Sequence, residues 1–140
     1  MLAVDSGFLF ALADETDAWH ERALAQRHTA TEGWLTTWPV LAKTCHLLLR
    51  RIGPEPMAVL MGDVAEGHIL IWNPPPEVLA QVPVLLRKYA TLPMDLADAS
   101  LVLLAEHLGH GRILSTDMRD FGAYRWKSRK PFKNILAQTP

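Results

Sequence analysis

Short runs of β-forming residues alternate along the chain with stretches of helical periodicity. This alternation predicts an α/β fold: a three-layer α/β/α sandwich around a central parallel sheet of four to five strands. Two further observations agree. A length of 140 residues suits one domain, and a 49% hydrophobic content fills a core of that size, so residues 1–140 are expected to form a single domain. No repeat and no low-complexity segment interrupts the alternation.

The opening Leu2-Ala3-Val4 reads as a strand ended at Asp5-Ser6, after which Phe8, Leu9 and Leu12 fall at helical spacing. Residues 17–28 alternate apolar and charged faces as an amphipathic helix, with Asp17 placed to cap its start. Trp34-Leu35-Thr36-Thr37 is rich in β-formers, and Pro39 opens a helix that runs to Gly53. Residues 54–66 form another helix. The run from His68 to Trp72, bounded by Gly67 and the prolines 74–76, is apolar enough for a strand that is central or covered on both faces. Residues 77–90 resume a helical pattern, with a kink or restart expected at Pro83. Residues 94–109 are the strongest helix, apolar almost all round and therefore buried, with Gly109 as its stop. Arg112 to Asp117 follow as a strand, then a turn at residues 120–122 and a short last strand near Tyr124 or Phe132.

A formal charge of -1 gives no global field to draw the molecule onto nucleic acid or an anionic membrane, so any polyanion must be met locally. Cys45 is the only cysteine and cannot form an intrachain disulfide, which fits a reducing cytoplasm. Asp5 interrupts the region where a signal peptide would be apolar, and no apolar stretch reaches about 18 residues, so neither export nor membrane insertion is expected.

Ligands of open parallel sheets gather beyond the carboxyl ends of the strands, where strand order reverses. Asp5 ends the first strand and Asp117 the fourth, while Asp95 and Asp98 lie three apart in the first turn of the helix between them. If the first and fourth strands are neighbours, these carboxylates converge. Grouped carboxylates repel unless a cation neutralises them, and hard oxygen donors without a Cys cluster or spaced His pair favour Mg²⁺ or Mn²⁺ over zinc. Each acid also has a structural alternative. Asp95 can cap its helix, Asp98 can complement the helix dipole, Asp5 can cap the first helix although Ser6 could do so without a charge, and Asp120 can form a turn.

The segments AVDSGFLFALADETDAWHERAL, LTTWPVLAKTCHLLLRR, PMDLADASLVLLAE and RILSTDMRDF resemble, in order and spacing, the PIN domains, and most closely the VapC-type toxins of bacterial toxin-antitoxin pairs. The resemblance spans nearly the whole chain. It implies a divalent-metal endoribonuclease with Asp5, Asp98 and Asp117 matching the first, third and fourth acids of the site, and Asp95 a frequent accessory. It also implies a homodimer and an antitoxin protein as partner. The second acid of the family is a Glu, and the matching position here holds Lys43. Read as lying in the first turn of its helix, a Lys opposes the macrodipole where a Glu would suit it. A degenerate member, a working site with fewer ligands, and a substitution that silences a toxic enzyme are all compatible with it. A catalytically dead relative that still pairs with itself and with an antitoxin is the rival reading, with Trp19, Trp38, Met57 and Met61 as surface candidates.

An RNA substrate needs positive charge near the acids. Arg119, Arg125, Lys127, Arg129, Lys130 and Lys133 cluster late in the chain with Tyr124 and Trp126 interleaved, a composition able to grip phosphates and stack bases. A solvated basic tail is the alternative. Thr116 and Ser6 are candidates for hydrogen bonds to phosphate. Other phosphate-handling α/β enzymes fit less well, because Val4-Asp5-Ser6-Gly7 lacks a second aspartate two residues on, and no glycine-rich dinucleotide turn follows the first strand.

Overall fold

The first strand, β1 (Leu2–Val4), lies in the middle of a sheet, which is why all three of its residues are apolar and buried. In the computed structural model, which describes residues 1–138, the elements run β1, α1 (Ser6–Ala13), α2 (His20–Thr29), β2 (Trp34–Thr37), α3 (Trp38–Arg51), α4 (Pro54–Ala65), β3 (Ile69–Trp72), α5 (Gln81–Lys88), α6 (Leu96–Leu108), β4 (Arg112–Leu114), α7 (Met118–Ala123), β5 (Arg125–Trp126), β6 (Lys130–Pro131) and β7 (Lys133–Asn134). Five strands form one sheet in the order β3-β2-β1-β4-β7, with every pairing parallel. Leu2 stands beside Trp34, and Ala3 beside Leu35 on one side and Ile113 on the other. The α/β class with a five-stranded parallel sheet flanked by helices is therefore the one the alternation predicts.

Helix α6 is the spine of the core. Residues 99–105 are all buried, as the all-round apolar pattern requires, and the helix packs on α3, α5, β1 and β2. Asp95 caps its start, and Gly109 ends it in the left-handed conformation at φ 76°, where a side chain would be strained. Phe8 of α1 meets Trp34 edge to face at 5.1 Å, tying the first helix to the second strand.

Several expectations change. Strand β3 starts one residue later than His68 and is an edge strand, with Leu70 46% exposed, so it is not covered on both faces. Asp17 does not cap α2. Its carboxylate accepts from the Trp19 amide in a turn, and the helix begins at His20. The pattern at 77–90 splits into a 3₁₀ turn at Pro76–Ala80 and α5, so the restart comes at Gln81 and leaves Pro83 within the first turn, where its missing N–H is harmless. The expected turn at 120–122 belongs to the short helix α7, which Asp117 caps. The single late strand becomes three: β5 and β6 pair as a small antiparallel hairpin, and β7 joins β4 at the sheet edge. Trp34 is core, whereas Trp72 is only half-buried and stacks on His107 at 5.1 Å. Among the rival surface candidates, Trp38 is 51% exposed, while Trp19, Met57 and Met61 pack partly against the core. Among the described residues, no helix is long and apolar enough to cross a membrane.

Because Leu104 has no exposure and sits in the spine, Leu104→Ala should cost about 2–5 kcal/mol. Urea unfolding followed by circular dichroism should show a lowered midpoint with an unchanged native spectrum.

Candidate active site

Strand order reverses between β1 and β4, because β1 pairs with β2 on one side and with β4 on the other. The crevice beyond the carboxyl ends of these two strands is where such a sheet holds ligands. Asp5 leaves β1 there and Asp117 follows β4. Together with Asp98 at the start of α6, they line one cleft of about 250 Å³, whose walls also include Gly7, Lys43 and Arg51.

Asp5 is 5% exposed and caps α1 itself, so Ser6 does not take that role. Its Oδ1 accepts the Phe8 N–H at 2.8 Å, and the Ser115 hydroxyl donates to Oδ2. The same hydroxyl accepts the Asp117 N–H at 2.9 Å, so one serine links the first acid to the last. Ser115 is held in turn by Asn134 of β7, which accepts its N–H at 3.2 Å and donates to its carbonyl at 2.9 Å. Burial pushes the Asp5 carboxyl up to about 6; the two hydrogen bonds oppose this, and the charges of Asp98 and Asp117 add to it.

Asp98 accepts the phenol O–H of Tyr124 at 2.8 Å. Its carboxyl is likewise raised to about 6, by burial first and then by the charge of Asp95. Tyr124 has no exposure, and burial, with the carboxylate at its hydroxyl, drives its own ionisation far above the ordinary range. Asp117 caps α7 by accepting the Asp120 N–H at 2.9 Å, and burial raises it as well.

Asp95 is placed differently. It caps α6 through the Asp98 N–H at 2.8 Å and turns its other oxygen to the Lys43 ammonium at 2.7 Å, outside the cleft lining. Lys43 lies in the second turn of α3, not the first, so the macrodipole weighs on it less than the sequence suggested. Burial works against its charge, but the bond to Asp95 and the fields of Asp98 and Asp5 prevail and hold its ionisation above the ordinary lysine value. Gly7 is required for close approach: a Cβ there would collide with the Thr116 hydroxyl and lie 3.6 Å from Asp5 Oδ1.

Among the described residues, no three His, Cys, Asp or Glu side chains stand close enough to cage a metal. The donor set nevertheless fits a Mg²⁺ or Mn²⁺ that keeps much of its water, because such ions are held by one or two carboxylates rather than by an all-protein cage. Burial is the first cause of the three raised carboxyls, and the charges of neighbouring carboxylates add to it.

The late basic segment divides: the charge of Arg119 reaches Asp117, while Arg125, Lys127 and Arg129 are held elsewhere. Arg119 reaches the Leu92 carbonyl and Asp120. Arg125 binds the carbonyls of Gly122, Ala123 and Tyr124. Lys127 and Arg129 lie in the turn of the β5–β6 hairpin, whose Trp126 sits against Gly111, before β4 begins, and whose Lys127 N–H binds Glu106 near the end of α6. That is the amino end of β4, whereas Asp117 follows its carboxyl end. Tyr124 and Trp126 are buried, so they offer no face for stacking. The cation on the cleft besides Lys43 is Arg51, which sequence reasoning passed over. Its signal was the spacing of Lys43, Leu47 and Arg51 on one helical face. A larger groove of about 580 Å³ lies between α1, α2 and α4, but its wall is mainly apolar, with Leu9, Leu12, Trp34 and Val59, and it is remote from the strand ends that carry the acids.

No protein-family model matches the sequence, and no curated protein is similar to it at a significant level. Among solved structures, the chain is similar to Mycobacterium tuberculosis VapC20, described as a sarcin-ricin loop cleaving toxin. The TM-score is 0.77 at 19% identity, covering 85% of this chain and 92% of that one. The chain thus shares its fold with that toxin.

Two outcomes follow from the burial of the acids. Asp5 has a folded-state pKa above its ordinary value of 3.8, so its contribution to stability is full at low pH and is lost as pH rises through about 6. Asp5→Asn should therefore stabilise the metal-free protein by roughly 2–3 kcal/mol at neutral pH, a gain that vanishes towards pH 4 in urea titrations. Gly7→Ala should destabilise by about 1–3 kcal/mol, read as a lower thermal midpoint, because Thr116 must move.

Proposed function

We propose that this chain is a divalent-metal-dependent endoribonuclease of the toxin-antitoxin kind, restrained by the lysine that stands beside its acids. The observation that carries the proposal is the convergence of Asp5, Asp98 and Asp117 on one cleft at the switch point of the sheet. A TM-score of 0.77 to a toxin described as cleaving RNA's sarcin-ricin loop supports it.

In this reading Asp5, Asp98 and Asp117 hold Mg²⁺ or Mn²⁺, directly or through water. The chemistry such an ion supplies when bound is acidification of water and neutralisation of charge on a phosphodiester. The chain's own residues prepare the site. The Phe8 amide and Ser115 hydroxyl fix both oxygens of Asp5, and the Tyr124 phenol fixes one oxygen of Asp98, so these carboxylates need little reordering. Thr116, pressed against Gly7 on the cleft wall, is placed to meet a phosphate oxygen. The partners in this reading are RNA, an antitoxin protein and a second copy of the chain in the cytoplasm.

Lys43 limits the activity by putting an ammonium where the family has a carboxylate. It neutralises Asp95 and competes with a cation for the field of Asp98 and Asp5. The same ion pair favours a second reading, in which the chain is catalytically inactive and works by binding its antitoxin or RNA.

Lys43→Glu should raise Mn²⁺ affinity by tenfold or more, about 1–4 kcal/mol of electrostatic gain, and should cleave RNA far faster than the unaltered chain. Calorimetric Mn²⁺ titration and a gel assay of RNA cleavage check both, with Asp5→Asn in the Glu background as the blank. Equal cleavage by both chains would remove the restraint assigned to Lys43, and no cleavage by either would favour the binding-only reading.

A further inference from the structure

The cleft continues beyond its acids. Lys43, Leu47 and Arg51 line it at successive turns of one face of α3, opposite Gly7 and Phe10 of α1. It is thus a groove between two packed helices, with acids at one end and Arg51 towards the other. Eight residues separate Lys43 from Arg51, about 12 Å along the helix axis.

The two cations of this groove differ in state. Lys43 is tied to Asp95 at 2.7 Å, whereas Arg51 makes no ion pair among the described residues. Its guanidinium rests over the Phe10 ring at 5.4 Å, which steadies the plane, and shares the field of the Asp14 carboxylate after α1 without pairing with it. The carboxylate lining that end, Asp17, accepts the Trp19 N–H at 2.8 Å. A guanidinium so placed suits a phosphate, since its planar donors match phosphate oxygens. The basic hairpin is remote from the acids, because it lies at the amino end of β4 and the acids lie beyond the carboxyl ends of the strands.

We infer that the groove between α1 and α3 is the track of a single-stranded RNA, and that Arg51 grips a backbone phosphate neighbouring the one held at the acids. The inference rests on the ribonuclease reading for its substrate class. The separation of Arg51 from the acids puts it beyond the reacting phosphate, so it is a positioning residue and takes no part in the chemistry.

The test is the binding of a fluorescent single-stranded RNA to the whole chain, measured by anisotropy without added metal over a range of salt. Arg51→Gln should weaken binding roughly tenfold and reduce the slope of log affinity against log salt by about 0.7, the value for one phosphate contact on a single strand. Arg51→Lys should restore most of the affinity by restoring the charge, and the double change Lys127→Gln with Arg129→Gln should leave binding as it was. Mn²⁺ affinity should change far less in these chains than in Lys43→Glu, since Arg51 stands about 12 Å farther along the helix and the charge there is screened. Unchanged affinity and slope in Arg51→Gln would overturn the inference, as would loss of binding in the hairpin double variant alone. Its fate is separable from that of the catalytic reading. If Lys43→Glu cleaves RNA while Arg51→Gln binds normally, only the track falls; if Arg51→Gln loses binding while Lys43→Glu cleaves nothing, the track stands as a binding groove.

Discussion

The carboxylate of Asp5 is held almost wholly out of water at the junction of the central strand and the first helix, and much of the surrounding structure answers to that. A buried charge must find hydrogen bonds or give up its ionisation, and Asp5 does some of each. The Phe8 amide that serves it is an orphan donor of helix α1, so capping the helix and solvating the acid are one act. The Ser115 hydroxyl that serves its other oxygen also receives the Asp117 amide, and this spacing sets where the helix after β4 begins. The pattern repeats at Asp95 and Asp117, which cap α6 and α7. Of the four candidate acids, Asp5, Asp95 and Asp117 are thus structural and candidate-functional at once, and treating the two roles as rivals divides what the molecule joins.

That union shows why the sequence was legible in some places and opaque in others. The parallel sheet, the buried helix α6 and the convergence of Asp5, Asp98 and Asp117 followed from periodicity and from the switch-point rule, because burial is recorded in the spacing of apolar residues. The length of α7, the position of β3 at an edge and the destination of the basic segment did not. A run such as His68–Trp72 looks the same whether one or both faces are covered, and Leu70 is exposed only because no further strand pairs beyond β3. Arg125 and Lys127 read as free charges until the hairpin places them against carbonyls and the far end of α6. Tyr124 read as a stacking surface, yet it is wholly buried with its hydroxyl on Asp98. Ser115 and Arg51 carried no sequence signal beyond their positions, since single hydroxyls and single arginines are common.

Lys43 illustrates how magnitude decides an interpretation. Its pair with Asp95 joins two half-exposed side chains, 41% and 44% accessible, and pairs of that kind contribute between nothing and about 1 kcal/mol. Stability therefore gives little reason to keep a lysine there. Its leverage is electrostatic and local, on the affinity of the acids for a cation, and the same positive charge that repels a metal ion lessens the repulsion of an anionic strand. A site that loses metal affinity in this way can retain its grip on a polyanion.

The support of Asp5 ends, through Ser115, at Asn134 of the last strand. The chain emerges from the ribosome amino end first, so Asp5 waits for Asn134, made well after it, before its surroundings are complete. A nascent chain that lacks β7 has the carboxylates without the clamp that holds their spacing. On the ribonuclease reading proposed above, the delay is a form of safety: until β7 has been made, the parts that would cut are present but not yet aligned.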